Sequence, residues 1–294
     1  MSFFKTRRSR ILARVFLYSG LIFLGIPLAF SQVMIGAVRQ PAHPPPPGYE
    51  EARIACEGLH LRIWLLRGPG GGSGGKAAIV VGHGVGDSLE SFTDMAGRLN
   101  QRGHTVLLLD FRGHGGSDAA YTTLGGRERE DVRAAAQWLR DRGLAKGGLV
   151  FMGFSMGAVA VLRAAVDQPD VKAVIVEAPY DTYRDNIARH AWLLYRLPRW
   201  VPVIPLAIAF AGWRAGFDPG EVDAVAAARR LRAPLLAIVD GADDRMPEPV
   251  VRRVLDAHPG PKQLWVAPGA GHVGASLTAP YWPVVLGFLD RSGL

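Results

Sequence analysis

The feature that most constrains the fold is an alternation of short apolar runs with helical patterns. Eight strand-like runs occur, at residues 53–56, 61–66, 77–81, 105–110, 148–153, 173–177, 234–240 and 263–267. From residue 77 onward they alternate with helical patterns, at 88–102, 127–142, 156–167, 221–230, 249–257 and 280–289. The later runs are continuously apolar, which is typical of strands that helices cover on both faces. This order predicts an α/β fold with a mostly parallel sheet and an antiparallel hairpin at its first edge.

A stretch of 40 residues, 180–219, interrupts the alternation. It is too long for a plain connection between strands. It contains Trp192, Tyr195, Trp200 and Trp213, with an apolar run at 201–212 that is too short and too broken by proline to span a membrane. We expect a helical lid or cap over a pocket, the alternative being a purely structural helical excursion.

The N-terminal 40 residues differ from the rest of the chain. The 24 residues from Val15 to Val38 carry no charge, which is enough to cross a bilayer core. Basic residues precede this run at Lys5, Arg7, Arg8, Arg10 and Arg14. The positive-inside rule keeps such a flank in the cytoplasm. We therefore predict residues 1–40 to be a single-pass anchor in the cell membrane, with the remaining domain outside the cytoplasm; a signal peptide cleaved near Ala29–Ser31 is the alternative.

The overall charge does not indicate a nucleic-acid partner. The formal charge is +8, but six basic residues and no acidic residue lie in residues 1–40, so 28 basic residues face 26 acidic ones in the remainder. No basic face with interleaved aromatic residues is present. Residues 41–48 are rich in proline, which predicts an extended linker that lifts the domain, residues 49–294, off the bilayer. The single cysteine, Cys56, excludes an intramolecular disulfide, and no zinc-ligand spacing occurs.

The chemistry is indicated first by Gly153–Gly157, whose sequence G-F-S-M-G fits G-x-S-x-G. The motif follows an apolar run and opens a helical pattern, which is the strand–turn–helix context that a nucleophilic serine requires. We expect Ser155 to be the nucleophile. The N–H of Met156, at a helix N-terminus, is then placed to stabilise an oxyanion.

A serine hydroxyl needs a base and an orienting carboxylate. His272 follows the last strand-like run and is the best-placed of eight histidines. Asp243 and Asp244 follow the run that ends at residue 240, and both precede His272, which gives the order Ser–Asp–His. We favour Asp244 as the acid, with Asp243 as the alternative and Glu177 as a weaker candidate.

A second oxyanion donor is expected in the loop after the run at 77–81. The sequence Gly82-His83-Gly84-Val85-Gly86 lets backbone amides approach a ligand, and we predict the Val85 N–H as the donor. We interpret His83 as an imidazole that braces this loop.

These motifs, together with D-F-R-G-H-G-G-S at 110–117 and G-A-G-H at 269–272, resemble the α/β-hydrolase superfamily over roughly residues 50–294. Within it, the chain is similar to membrane-anchored BEM46/YqkD-type hydrolases, which are related to the serine aminopeptidase-like group. The anchor, Glu177-Ala178-Pro179 and Gly216-Phe217-Asp218-Pro219 carry this second resemblance. The resemblance implies an eight-stranded sheet and a Ser–Asp–His triad that uses no metal or other cofactor.

The fold alone does not determine the reaction. We favour hydrolysis of an ester or thioester of a small-molecule or lipid-like apolar acyl substrate, with an acyl-enzyme on Ser155. The alternatives are a serine peptidase resembling the aminopeptidases and a non-catalytic, membrane-tethered binding domain. Epoxide hydrolysis and dehalogenation are disfavoured, because these reactions use Asp at the position of Ser155.

Overall fold

The computed structural model describes residues 7–37, 39–69 and 75–294. Lys5 of the basic flank and Val38, the last residue of the predicted span, lie outside the described residues. Within the described residues, eight strands form one sheet in the order β1-β2-β4-β3-β5-β6-β7-β8. The strands are β1 Glu50–Cys56, β2 Leu59–Leu66, β3 Ala78–Gly82, β4 Val106–Leu109, β5 Leu149–Phe154, β6 Val171–Glu177, β7 Leu235–Asp240 and β8 Lys262–Ala267.

The helices confirm the α/β class. They are α1 Arg7–Gly20, α2 Ile26–Ile35, α3 Thr93–Gln101, α4 Glu128–Asp141, α5 Met156–Ala165, α6 Tyr183–Tyr195, α7 Val203–Ala215, α8 Ala224–Arg230, α9 Glu248–Ala257 and α10 Tyr281–Arg291. One π-helical turn, Leu21–Gly25, joins α1 to α2, and short 3-10 turns lie at Leu89–Phe92, Pro219–Glu221 and Ala275–Leu277.

The sheet is covered on both faces, as the apolar runs predict. Ala78 and Val80 of β3 pack into the core beneath α4, α5, α8 and α9, whereas Ile79 and Val81 pack against α3 and α10. The alternation follows from the two-residue period of a strand. The strands from β4 to β8 in the sheet order are parallel, and β1 and β2 form the antiparallel edge. The loops that follow β3, β5, β7 and β8 therefore meet at one edge.

The N-terminal helix, defined here as Arg7–Ile35, is 29 residues long and contains an 18-residue stretch with a mean hydropathy of 2.0. It has the length and composition of a membrane span. Its last turns nevertheless dock on the domain. Ile35 is fully buried with Ala211 and Ala215 of α7, and Arg214 Nη1 donates a hydrogen bond to Ser31 Oγ at 3.2 Å.

Residues at the start of the proline-rich linker, and the two that precede it, are hydrogen-bonded to the domain surface. Arg39 Nη2 donates to the Ser117 carbonyl at 2.8 Å, Gln40 Nε2 donates to the Gly86 carbonyl at 2.9 Å, and the His43 amide donates to Glu90 at 2.8 Å. Arg39 and Gln40 before the linker, and His43 between its prolines, retain donors that bind the domain surface. Residues 39–43 are consequently hydrogen-bonded to the domain.

Candidate active site

Ser155 lies in a sharp turn between β5 and α5, with φ 51° and ψ −113°. This strained conformation is available because the flanking glycines allow close packing. A Cβ on Gly153 would lie 2.3 Å from the Gly157 carbonyl oxygen, and one on Gly157 would lie 2.2 Å from that of Gly82. The two glycines of the motif are thus required by the approach of strand, turn and helix.

The structure brings Ser155, His272 and Asp243 together. His272 Nε2 lies 3.0 Å from Ser155 Oγ, and His272 Nδ1 lies 2.6 Å from Asp243 Oδ2. The Asp243 side chain is buried, while that of His272 is 18% exposed. A serine bonded to an imidazole that is itself oriented by a buried carboxylate is the arrangement that activates a serine hydroxyl.

The acid beside His272 is Asp243, which corrects our preference for Asp244. The backbone turns directly after β7, where the Asp243 amide donates to the Asp240 carbonyl at 3.0 Å. This turn directs residue 243 under the imidazole and leaves Asp244 exposed. The sequence contains an indication of this choice. Relative to the usual acid loop of the α/β-hydrolases that the chain resembles, Met246-Pro247 comes one residue early if Asp244 is the acid.

The pKa of Asp243 lies below its usual value. Burial alone would raise it, but the hydrogen bond and charge of His272, with the amides of Met246 and Arg245, outweigh burial and favour the carboxylate. Arg245 and Met246 donate to Asp243 Oδ1 at 2.9 and 3.2 Å. Asp243 is therefore held as an anion facing the imidazole.

A pair of buried carboxyl groups, Asp240 and Glu177, holds the loop that carries His272, although the sequence offered Glu177 only as a weaker candidate for the triad acid. Asp240 accepts hydrogen bonds from the amides of Val273 at 2.8 Å and Ala275 at 2.9 Å, and Glu177 accepts from Ala275 at 3.2 Å. Burial, and then the Asp240 charge, raise the pKa of Glu177 well above its usual range. Burial also raises the pKa of Asp240. Glu177 thus lies beside Asp240 and is not the partner of His272.

Asp240, Asp243 and His272 are close enough together to be considered as metal ligands. Their donor atoms are already committed, since Asp240 binds backbone amides and His272 Nδ1 bonds directly to Asp243. The donor set fits a hydrogen-bonded triad better than a metal site.

The loop after β3 lies beside the serine. A Cβ on Gly84 would be 3.5 Å from Ser155 Cβ, and the two expected oxyanion donors, Val85 and Met156, line the same pocket as Ser155. His83 braces the loop, with Nδ1 2.7 Å from the Gly84 carbonyl and Nε2 accepting from the Phe111 amide at 3.1 Å. Burial, followed by nearby His114, lowers the pKa of His83 to about 3, so the imidazole is neutral.

The pocket in front of Ser155 has a volume of about 470 Å³ and a largely apolar lining. The sheet edge forms its floor, and α6 and α7, which arise from residues 180–219, form one wall. Phe30, Val33 and Met34 of the N-terminal helix form another wall, which was not predicted from the sequence. Asn186 is buried in the lining, and its Oδ1 has no hydrogen-bond partner in the described residues.

Comparisons with known proteins agree with this architecture. A family described as serine aminopeptidase, S33, matches residues 74–208. The uncharacterised YqkD of Bacillus subtilis is 31% identical over 172 residues, which are 58% of this chain and 56% of that protein. The match thus spans little more than half of that relative. An uncharacterised protein of Mycobacterium tuberculosis is 27% identical over 77% of this chain and 73% of its own length.

Solved structures share the fold. The Pyrococcus furiosus esterase Pf2001 superposes with a TM-score of 0.70 at 23% identity, over 87% of this chain and 99% of the esterase. Est1E of Butyrivibrio proteoclasticus, solved with ferulic acid, gives a TM-score of 0.62 at 19% identity, over 81% and 99% of the two chains. Together with the sheet order, these likenesses show that the chain has the α/β-hydrolase fold, and its residues 74–208 are similar to the serine aminopeptidase family.

Proposed function

We propose that this hydrolase cleaves carboxylic esters, or thioesters, of apolar acyl groups through an acyl-enzyme on Ser155. The observation that carries the proposal is the contact of Ser155 Oγ with His272 Nε2, at 3.0 Å, at the floor of an apolar pocket. His272 is oriented by Asp243 at 2.6 Å, which fixes the ring for proton transfer.

The reaction follows from these contacts. Ser155 Oγ attacks the carbonyl carbon while His272 Nε2 takes the hydroxyl proton, and the Met156 and Val85 amides stabilise the oxyanion. The C–O or C–S bond then breaks, and His272 returns the proton to the leaving alcohol or thiol. Water, deprotonated by His272, attacks the acyl-enzyme and releases the carboxylic acid and the free serine.

The membrane location is part of the proposal. The long apolar helix with Arg7, Arg8, Arg10 and Arg14 at its start supports a single-pass anchor in the cell membrane, with a cytoplasmic N-terminus and an extracytoplasmic domain.

A serine peptidase is the second candidate, because the matching family is described as a serine aminopeptidase. An aminopeptidase needs an acidic group that binds the substrate ammonium. Among the described residues that line the pocket, Asp87 is the one carboxylate, and its Oδ1 already accepts from the Ser88 amide at 2.8 Å and from Ser91 Oγ at 2.5 Å. Esters of apolar acyl groups suit the lining better.

The test uses the full-length protein in detergent micelles. We expect a fluorophosphonate probe to label it and p-nitrophenyl esters to be hydrolysed, and we expect Ser155→Ala to abolish labelling and lower ester turnover at least 10³-fold. Ser292→Ala, a serine in the C-terminal turn, is the matched control. Labelling that persists in Ser155→Ala, or a folded wild-type protein that neither labels nor hydrolyses any ester, would refute the assignment. Faster cleavage of aminoacyl p-nitroanilides than of esters would favour the peptidase.

A further inference from the structure

We propose that the N-terminal helix forms one wall of the substrate-binding pocket, and that this pocket receives the acyl chain of a lipid ester directly from the bilayer. This inference rests on the proposed ester hydrolysis and adds the source of the substrate and the residues that select its chain.

The first observation is the composition of the pocket wall. Phe30, Val33 and Met34 of the N-terminal helix line the same cavity as Ser155 and His272. The Phe30 ring lies edge-on to that of Tyr195 in α6, with centroids 5.3 Å apart. An acyl chain bound in front of Ser155 would therefore run between α6 and the N-terminal helix.

The second observation is that this wall is fixed in place. The Thr122 amide donates to the Ile35 carbonyl at 3.0 Å, and Thr122 Oγ1 lies 3.3 Å from the Met156 sulfur, next to the nucleophile. Ile35 is buried against α7, and the following segment is bonded to the Gly86 carbonyl. A simple tether would need none of these contacts.

The third observation is the exposed apolar surface beside the pocket. Leu194, Trp200 and Trp213 of the lid region are 68%, 78% and 77% exposed. Trp213 neighbours Arg214, which binds Ser31 of the N-terminal helix. The helix itself exposes apolar side chains along its length, including Ile11, Val15, Phe16 and Leu17. Because Leu194 and Trp213 are next in the chain to Tyr195 and Arg214, which contact a helix of membrane-spanning length, hydrocarbon of the same bilayer is the occupant that covers both surfaces.

The position of the pocket mouth along the N-terminal helix agrees with entry of a lipid chain from the bilayer. From Val15 to Val33 is about 27 Å along a helix, close to the roughly 30 Å core of a bilayer. Val33 lines the pocket and is 72% exposed, so it lies at the mouth. The mouth is consequently at the boundary between the hydrocarbon and the headgroups, where the ester groups of lipids lie.

The test uses the full-length chain in dioleoyl phosphatidylcholine vesicles that contain 4-methylumbelliferyl oleate or 4-methylumbelliferyl acetate. The measured quantity is the ratio of oleate to acetate hydrolysis. We expect Val33→Trp, which obstructs the mouth, to lower this ratio at least tenfold. Val15→Trp, an exposed position of the same helix far from the pocket, is the matched control and should leave the ratio within twofold of wild type.

A second variant covers the case in which Val33→Trp does not fold. Phe30→Ala enlarges the pocket, and across a series of ester chain lengths we expect its optimum to move to longer or bulkier acyl groups. An unchanged ratio in folded Val33→Trp, or an unchanged optimum in Phe30→Ala, would overturn the proposal. Failure of the underlying function is recognised separately, because the wild-type protein would then show no fluorophosphonate labelling of Ser155.

Contact between the mouth of the pocket and lipid is measured separately. In vesicles of brominated phosphatidylcholine, lipid quenches tryptophan fluorescence at short range. We expect Trp213→Phe to remove fluorescence that the lipid quenches. The control is Trp138→Phe, on α4, whose ring lies 3.8 Å from the Arg142 guanidinium; this substitution should remove fluorescence that the lipid does not quench. Equal quenching of the two would contradict immersion of the lid.

Discussion

At the residue scale, Asp243 and Asp244 are adjacent in the chain but lie in opposite environments. The Asp243 carboxylate is buried and binds the imidazole and two backbone amides, whereas Asp244 is exposed. A buried anion that orients the imidazole stabilises the imidazolium formed during attack. The two residues should therefore differ sharply in their effect on the reaction.

We expect Asp243→Asn to lower kcat for ester hydrolysis by about 10²–10⁴-fold, because an amide can present its N–H to His272 and favour the wrong tautomer. Asp244→Asn is the matched control and should change kcat less than threefold. Steady-state kinetics with a p-nitrophenyl ester measure both. If Asp244→Asn proved the more damaging substitution, the orienting role of Asp243 would be wrong.

At the element scale, the loop after β8 is positioned by the ends of β6 and β7. Asp240 ends β7 and Glu177 ends β6, and both bind amides of the residues that follow His272. Burial, and then repulsion from the adjacent Asp240 carboxylate, raise the pKa of Glu177 and disfavour its ionised form. The orientation of His272 is thus linked to the protonation of Glu177.

This link predicts a pH-dependent effect of Glu177→Gln. The pKa of Glu177 is raised in the folded protein, so its contribution to the free energy of unfolding is complete below the usual pKa of 4.5 and declines as the pH rises toward the folded value. The glutamine variant keeps the shape and a donor for Asp240 but does not ionise. Its melting temperature relative to wild type should therefore increase from pH 5 to pH 9.

The control for that measurement is Glu221→Gln, at an exposed position outside the pair. Its melting temperature should track that of wild type across the same range. A Glu177→Gln difference that stays constant or shrinks with rising pH would mean that Glu177 is ionised in the folded protein.

At the scale of the whole molecule, the N-terminal helix and the domain share one apolar surface. The docked end of the helix covers Ala211 and Ala215, and it closes one side of the active-site pocket. The domain and the N-terminal helix are thus packed together as parts of one structure.

We expect removal of residues 1–48 to expose this surface and to make the remaining chain associate in the absence of detergent. Size-exclusion chromatography with light scattering measures the mass. The full-length chain in detergent is the control for folding. A truncated protein that stays monomeric and keeps the full-length ratio of long-chain to short-chain ester hydrolysis would show that the helix is only a tether.

The sequence alone determined the sheet and the main residues of the site. The apolar runs predicted all eight strands, and β3, β4 and β5 are apolar throughout because helices cover them on both faces. Gly153–Gly157 located Ser155, since only glycine tolerates the 2.2–2.3 Å approaches around the turn. His272 was located by its place after the last strand. These are local consequences of backbone geometry.

Tertiary structure decided what depends on distant contacts. The choice of Asp243 over Asp244 required the turn direction after β7, and the role of Glu177 required its approach to Asp240 across the sheet edge. From the sequence, the N-terminal helix is interpreted as an anchor, because composition shows that the helix is hydrophobic. Composition does not show which neighbour covers its apolar side chains. Phe30 and Val33 became pocket residues only when the helix docked on α7. Apolar side chains suit lipid and protein equally well, so folding of the whole chain determined which surface each of them meets.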